Sequence, residues 1–327
     1  MTAVYLTIDT EYSSGLVTDL SEADRVDNFA RSIACTTPDG PAGITHQLNL
    51  LSRYGQRGVF FVDPMPALVW GIAAIEDIIA PILTAGQEIQ LHCHTEWLAL
   101  AGEANPLTSR RTGINLFEFP FDEQCQLLDY ARDTLVAAGA PAPTAFRAGN
   151  YGANDDTLRA LAKLGLTHDT SHCPALPHGA SRISLGPGAC EPVHHCGVIE
   201  VPVGSIGSFR SGQRHAQITA LSLAEMRAAL RHASAQQRAS FTLVSHSFEL
   251  INRRTRALNR IVERRFEGLC RTLAELEGIT SCGYTDNPPK PLPTGSAEPA
   301  RLLPAHPVRT AQRYAEQLIS NTLYGAL

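Results

Sequence analysis

Two histidines, His92 and His94, close the run Glu88-Ile89-Gln90-Leu91, and their spacing of two is the first sign of chemistry in the chain. In an extended strand, side chains at i and i+2 share a face, so both imidazoles can reach one cation. Imidazole is the commonest protein ligand for zinc and related metals, and a catalytic site needs about three such ligands with one position left open for water. The carboxylates of Asp9 and Glu11, in Thr7-Ile8-Asp9-Thr10-Glu11, repeat the same spacing. One of them can complete a metal's ligand set while the other, close to the bound water, serves as general base. His246, in Leu243-Val244-Ser245-His246-Ser247-Phe248-Glu249, can protonate a leaving nitrogen or oxygen. Taken singly, each has an ordinary reading: Asp9 as a cap, Arg147 as a salt-bridge partner, the histidines as hydrogen-bonded surface groups.

Short β-type runs alternate with longer helical patterns. Strands are expected at 3–9, 58–62, 88–92, 144–147, 166–170, 198–202, 241–246 and 279–283. Amphipathic helices are expected near 44–54, 73–85, 122–138, 154–165, 222–238 and 255–276, with Leu127, Leu128, Leu135, Leu158, Leu161 and Leu164 at helical spacing. Such alternation implies α/β architecture with a parallel sheet, closed into a barrel or widely open. The strands end at Asp9, Asp63, His92, Arg147, Asp169 and His246. In a parallel barrel these ends share one rim, where catalysis sits, so the joint pattern weighs more than any single residue.

The excursion 170–200, with Pro174, Pro177, Pro187 and Pro192, is expected to shape the cleft. The compact domain is expected to cover 1–285. A Pro-rich connector beginning at Asn287-Pro288-Pro289 and a terminal helix near 308–324 would make up 286–327. No internal repeat is present.

A hydrophobic content of 44% in 327 residues is ample for a buried core. The net charge of −5 and the small clusters Arg110-Arg111, Arg253-Arg254 and Arg264-Arg265 argue against nucleic-acid binding, and the clusters read as solvated helix faces or isolated anion contacts. The first strand begins at Ala3 with no basic leader before it, which points to a cytoplasmic protein. The most apolar stretch, Met65 to Leu83, is broken by Glu76, Asp77 and two prolines, so no membrane span is expected. Eight cysteines without CxxC spacing are expected to be reduced thiols.

In order and spacing, five motifs resemble those of the polysaccharide deacetylase (NodB-homology) family: Thr7-Ile8-Asp9-Thr10-Glu11, Leu91-His92-Cys93-His94, Phe146-Arg147-Ala148-Gly149-Asn150-Tyr151-Gly152, His168-Asp169-Thr170-Ser171 and Leu243-Val244-Ser245-His246-Ser247. The resemblance spans about residues 3–285. It implies a distorted (β/α) barrel of about seven parallel strands, with a divalent metal, usually zinc, that polarises an acyl carbonyl and activates water. It implies Asp9 as base, His246 as acid, Arg147 holding Asp9 ionised, Asp169 in the catalytic set, and backbone N–H groups near Tyr151 at the oxyanion. Two departures stand out. Thr10 replaces the second of two adjacent acids, and the residue four after His92 is Glu96 rather than histidine. Glu11, His92 and His94 are the favoured ligands, with His92 and Glu96 as the alternative.

The expected function is a metal-dependent hydrolase that removes an acyl group, N-acetyl above all, from a carbohydrate or related amide. The substrate would be a small molecule or an oligosaccharide. Two alternatives remain: a metal-dependent amidohydrolase acting on a small non-sugar C–N bond, and a non-catalytic carbohydrate-binding protein on the same scaffold. Aromatic content of 6%, with Trp only at 70 and 97, favours a small substrate.

Overall fold

Alternation along β1 (Thr2–Thr10) builds two cores at once. Val4, Leu6 and Ile8 turn outward to the helices, while Ala3 and Tyr5 turn inward to meet Val59, Phe61, Ala145 and Val201. The structure is a computed structural model that describes residues 1–177, 179, 181–210, 212–252, 255–291 and 301–324. The Arg253-Arg254 pair and the connector residues 292–300 lie outside the described residues.

The strands that follow are β2 (Val59–Val62), β3 (Glu88–Cys93), β4 (Ala145–Ala148), β5 (His168–Asp169), β6 (Val193–His195), β7 (Val198–Glu200), β8 (Ser240–His246) and β9 (Ile279–Ser281). Their hydrogen-bonded order is β8-β1-β2-β3-β4-β5-β7-β6, with β9 beside the start of β1. Within this sheet, among the described residues, only the β6–β7 pair is antiparallel. Register then sets the rim: Asp9 lies opposite His246 on one side and Phe61 on the other, and His92 lies opposite Arg147.

Between β7 and β8 the ring is carried by irregular backbone. Val203 N–H donates to His172 O (3.0 Å), Gly204 N–H to Thr242 O (2.9 Å) and Ile218 N–H to Val244 O (3.0 Å). A Cβ on Gly204 would sit 2.5 Å from Thr242 O, so this approach needs glycine. The result is the expected distorted (β/α) barrel.

Around it lie α1 (Glu22–Ser32), α2 (Ile44–Arg53), α3 (Ala73–Thr84), α4 (Phe121–Ala137), α5 (Asp155–Lys163), α6 (Leu223–Ala235), α7 (Arg260–Glu275) and α8 (Pro307–Tyr324). Helix α1 is absent from the sequence expectation because the side it buries carries Asp24, Asn28 and Ser32 rather than apolar residues. Polar contacts anchor it instead. Ser21 caps it by accepting from Asp24 N–H, and the Asp24 carboxylate accepts from Thr18 and Leu20. Helix α7 begins later than the periodicity suggests, since Ala257-Leu258 pair with Ile251-Asn252 before Asn259 caps the helix.

Helix α8 docks through polar contacts. Arg265 pairs with Glu316 at 2.8 Å, Arg313 with Glu225 at 3.3 Å, and Asn259 Nδ2 donates to Ser320 Oγ at 2.8 Å. This corrects the reading of Arg264-Arg265 as a solvated or anion-binding pair: Arg265 is buried and neutralised by the terminal helix. All eight cysteines are thiols, as expected, and not disulfides. Among the described residues no helix is long and apolar enough to cross a membrane.

Candidate active site

At the end of β3 the chain delivers two imidazoles to one carboxylate oxygen. Glu11 Oε2 lies 2.9 Å from His92 Nε2 and 2.7 Å from His94 Nε2. The other nitrogen of each ring is already committed. His92 Nδ1 lies 2.7 Å from Arg147 O and His94 Nδ1 lies 3.0 Å from Glu96 Oε2, and both partners can only accept. Each Nδ1 therefore carries a proton, and in the neutral rings both Nε2 lone pairs point at the Glu11 oxygen. That is an unfavourable arrangement without a positive charge between them. One ligand atom from each of Glu11, His92 and His94 lies within 4.8 Å of the others, so the donor set fits a divalent cation.

The alternation of β1 explains the departure at position 10. Thr10 is fully buried and its hydroxyl turns back to Ile8 O, whereas Glu11 returns to the side of Asp9. Glu96 is occupied with holding His94 and with accepting from Asn150 Nδ2 at 2.9 Å. Gly149 makes room for this arrangement, because a Cβ there would lie 2.7 Å from the His94 ring. Burial lifts the Glu11 carboxyl, but His94 and His92 outweigh it and hold the group well below the usual carboxylate range. Burial lowers the His94 imidazole, and Glu11 and Glu96 more than reverse that, leaving it well above the ordinary value.

Asp9 is held from beneath. The Arg147 guanidinium crosses the barrel interior to donate to Asp9 Oδ1 (2.5 Å) and Thr7 Oγ1 (2.9 Å), stacks over Phe61 at 4.6 Å, and donates to Thr170 O (3.3 Å). A fully buried arginine is tolerated only with partners of this kind. The second Asp9 oxygen, Oδ2, lies 3.7 Å from His246 Nε2. Burial lowers the His246 imidazole, but Glu249 first, then Asp9 and Glu11, raise it to about 9.

These residues line one cavity of about 110 Å³, bounded by Asp9, Glu11, His92, His94, Ala148, Asn150, Tyr151, Gln217 and His246. Arg147 and Asp169 stand behind that wall. Asp169 accepts from Ser171 N–H (2.9 Å) and Ser171 Oγ (2.8 Å), and Ser171 Oγ in turn accepts from Ala148 N–H (2.9 Å). Asp63, on the rim as expected, accepts from Met65 and His94 N–H through Oδ1, and burial, partly offset by His94 and His92, raises it to about 6. Asn150 and Tyr151 both have left-handed backbone, with φ of 56° and 57°, a strained pair of the kind found at ligand-contacting sites.

Two members of the site escape a reading of motifs. Glu249 bonds His246, and its position three residues after that histidine is a signal that carries no weight alone. Gln217 reaches the cavity from the irregular segment between β7 and β8, where no periodicity marks it.

No protein-family model matches the sequence, and no curated protein matches it. Among solved structures, the chain is similar to a Mycobacterium smegmatis protein described as a polysaccharide deacetylase, at 19% identity and a TM-score of 0.54, over 87% of this chain and 88% of that one. It is also similar to a family 4 carbohydrate esterase from Streptomyces lividans in complex with acetate, at 12% identity and a TM-score of 0.42, over 93% and 98%. The first likeness establishes the polysaccharide-deacetylase fold. The second is too distant to add to it.

Proposed function

We propose that this chain is a metal-dependent hydrolase that removes an acyl group, acetyl first among them, from the nitrogen of an amino sugar. The observation that carries the reading is the convergence of His92 Nε2 and His94 Nε2 on Glu11 Oε2 in the cavity that also holds Asp9 and His246. Two imidazoles and one carboxylate are a donor set of catalytic zinc, so zinc is the metal we assign. When bound, it would polarise the acyl carbonyl and make water acidic enough to attack near neutral pH.

The residues supply the remaining chemistry. Asp9, paired with Arg147 through Oδ1, takes a proton from the attacking water through Oδ2. His246 gives its Nε2 proton to the departing nitrogen, so the amine leaves neutral. Glu249 fixes the tautomer that makes this possible. Asp169 positions Ala148, and with it the cavity wall, through Ser171. The likeness in fold to a protein described as a polysaccharide deacetylase supports the substrate class.

One observation favours a small substrate, including a non-sugar amide. Trp97 is 1% exposed and meets Trp70 edge to face at 5.3 Å, and neither tryptophan lines the cavity as a platform for a sugar chain. We also propose that 1–285 form the catalytic unit and 286–327 an appended connector and helix, a division supported by the polar docking of α8.

The test is metal content and deacylation measured together, on N-acetylated sugar monomers, their oligomers and small N-acyl amides. His246→Ala is expected to keep the metal and lose about 10²–10⁴ in turnover, whereas His92→Ala loses turnover and the metal held by Glu11, His92 and His94. Unchanged turnover in either variant would overturn the roles of these two histidines. Turnover confined to non-sugar amides would shift the reading to the smaller substrate.

A further inference from the structure

A second set of metal-type donors lies outside the cavity. One ligand atom each from Asp155, His195 and Cys196 lies within 4.8 Å of the others. His195 Nε2 is 2.9 Å from Asp155 Oδ1. Asp155 is itself oriented by Ser184, whose N–H (2.9 Å) and Oγ (2.6 Å) both donate to it, an arrangement that typically fixes a metal-ligating carboxylate.

The backbone at Cys196 is the second observation. His195 pairs with Val198, which leaves Cys196-Gly197 as a two-residue hairpin turn with φ of 48° and 94°. Turns with both φ positive favour Asn-Gly, and a cysteine in the left-handed region costs about 1 kcal/mol. A residue that breaks a local rule in this way is expected to serve something else. Cys196 is also the one cysteine of the eight that is not buried, so an ion in solution can reach its sulfur.

We propose that Asp155, His195 and Cys196 form a second metal site, for zinc or another thiophilic divalent cation. Binding releases the Cys196 thiol proton to water and replaces the His195–Asp155 hydrogen bond, with the imidazole proton relocated to Nδ1 through solvent. Thiolate and carboxylate together neutralise the dication, and a water completes a tetrahedral shell. The site ties the start of α5 to the β6–β7 turn. Arg182 N–H, two residues before Ser184, donates to Ala153 O at 2.7 Å, so the same tie braces the segment that carries Tyr151 into the cavity.

Cobalt(II) separates this site from the one at Glu11, His92 and His94, which contains no sulfur ligand. Titration of the reduced full-length protein should produce thiolate-to-cobalt charge-transfer absorption that saturates by about two equivalents, and by about one in His92→Ala. The band should persist in His92→Ala and vanish in Cys196→Ser. It should also vanish in Cys196→Asn, a residue suited to the left-handed turn, with circular dichroism unchanged. His195→Ala should weaken cobalt binding by about tenfold or more. Absence of the band in the parent protein, or an undiminished band in Cys196→Asn, would overturn the proposal.

Discussion

Glu249 holds His246 at two points: the imidazole Nδ1–H donates to Oε1 at 3.1 Å, and the backbone N–H donates to Oε2 at 3.1 Å. With Nδ1 so occupied, Nε2 is the nitrogen left for the cavity and for Asp9. The carboxylate is anchored in turn by Gln217 Nε2 and by Thr219 Oγ1 at 3.1 Å, so His246 cannot rotate without breaking a network.

This network sets a pH dependence. With its imidazole raised to about 9, His246 stays protonated through neutral pH and activity should fall as pH rises through that value. In Glu249→Gln the alkaline limb should move toward the ordinary histidine value of about 6.5. Stability follows the same sign, because a raised histidine stabilises the fold fully below about 6.5 and loses that contribution through about 9. Because Glu249, lowered by His246, must itself be ionised, denaturation of the two proteins should differ most between about pH 4.5 and 6.5 and converge in alkali. An alkaline limb that stays in place in the variant would refute Glu249 as the residue that tunes His246.

Metal removal should leave the Glu11 carboxylate held only by the imidazoles of His94 and His92. Chelation is expected to lower the melting temperature, and zinc at about 100 times its Kd should restore about 2.7 kcal/mol. In a Cys196→Asn background, which lacks the second donor set, His94→Ala should show no such restoration. Differential scanning calorimetry with and without chelator reads this directly.

Arg147→Met leaves Asp9 buried without its partner, and urea denaturation should show a loss of about 3–5 kcal/mol. Adding Asp9→Asn to that variant should recover a good part of the loss, since no uncompensated charge then remains. Strict additivity of the two substitutions would mean that the ion pair is not coupled.

Gly149→Ala tests the packing under His94. The added methyl must displace an imidazole ring 2.7 Å away, while the strand and its neighbours remain. A weakening of metal affinity of about tenfold or more, with an unchanged circular dichroism spectrum, is expected. Isothermal titration that shows wild-type affinity would mean that the ring has room to move.

Every strand of the barrel sheet but β6, the helices α2 to α8 and the rim residues Asp9, His92, Arg147 and His246 are legible from alternation, helical spacing and strand ends, because a strand of period two fixes which side chains share a face. The same rule pairs Asp9 with Glu11 and His92 with His94 from spacing alone. It cannot decide between His94 and Glu96, since that choice depends on where the chain turns after β3. The turn places Glu96 behind the His94 ring, against Nδ1. Nor can spacing place Glu249 or Gln217 at His246, or show that Asp169 stands behind the cavity wall, because those contacts join segments with no shared period. Periodicity is a local property of the chain, and it is written in the residues themselves. Convergence of side chains from β1, β3, β4, β8 and an irregular crossing segment exists only once the barrel has brought them to one rim.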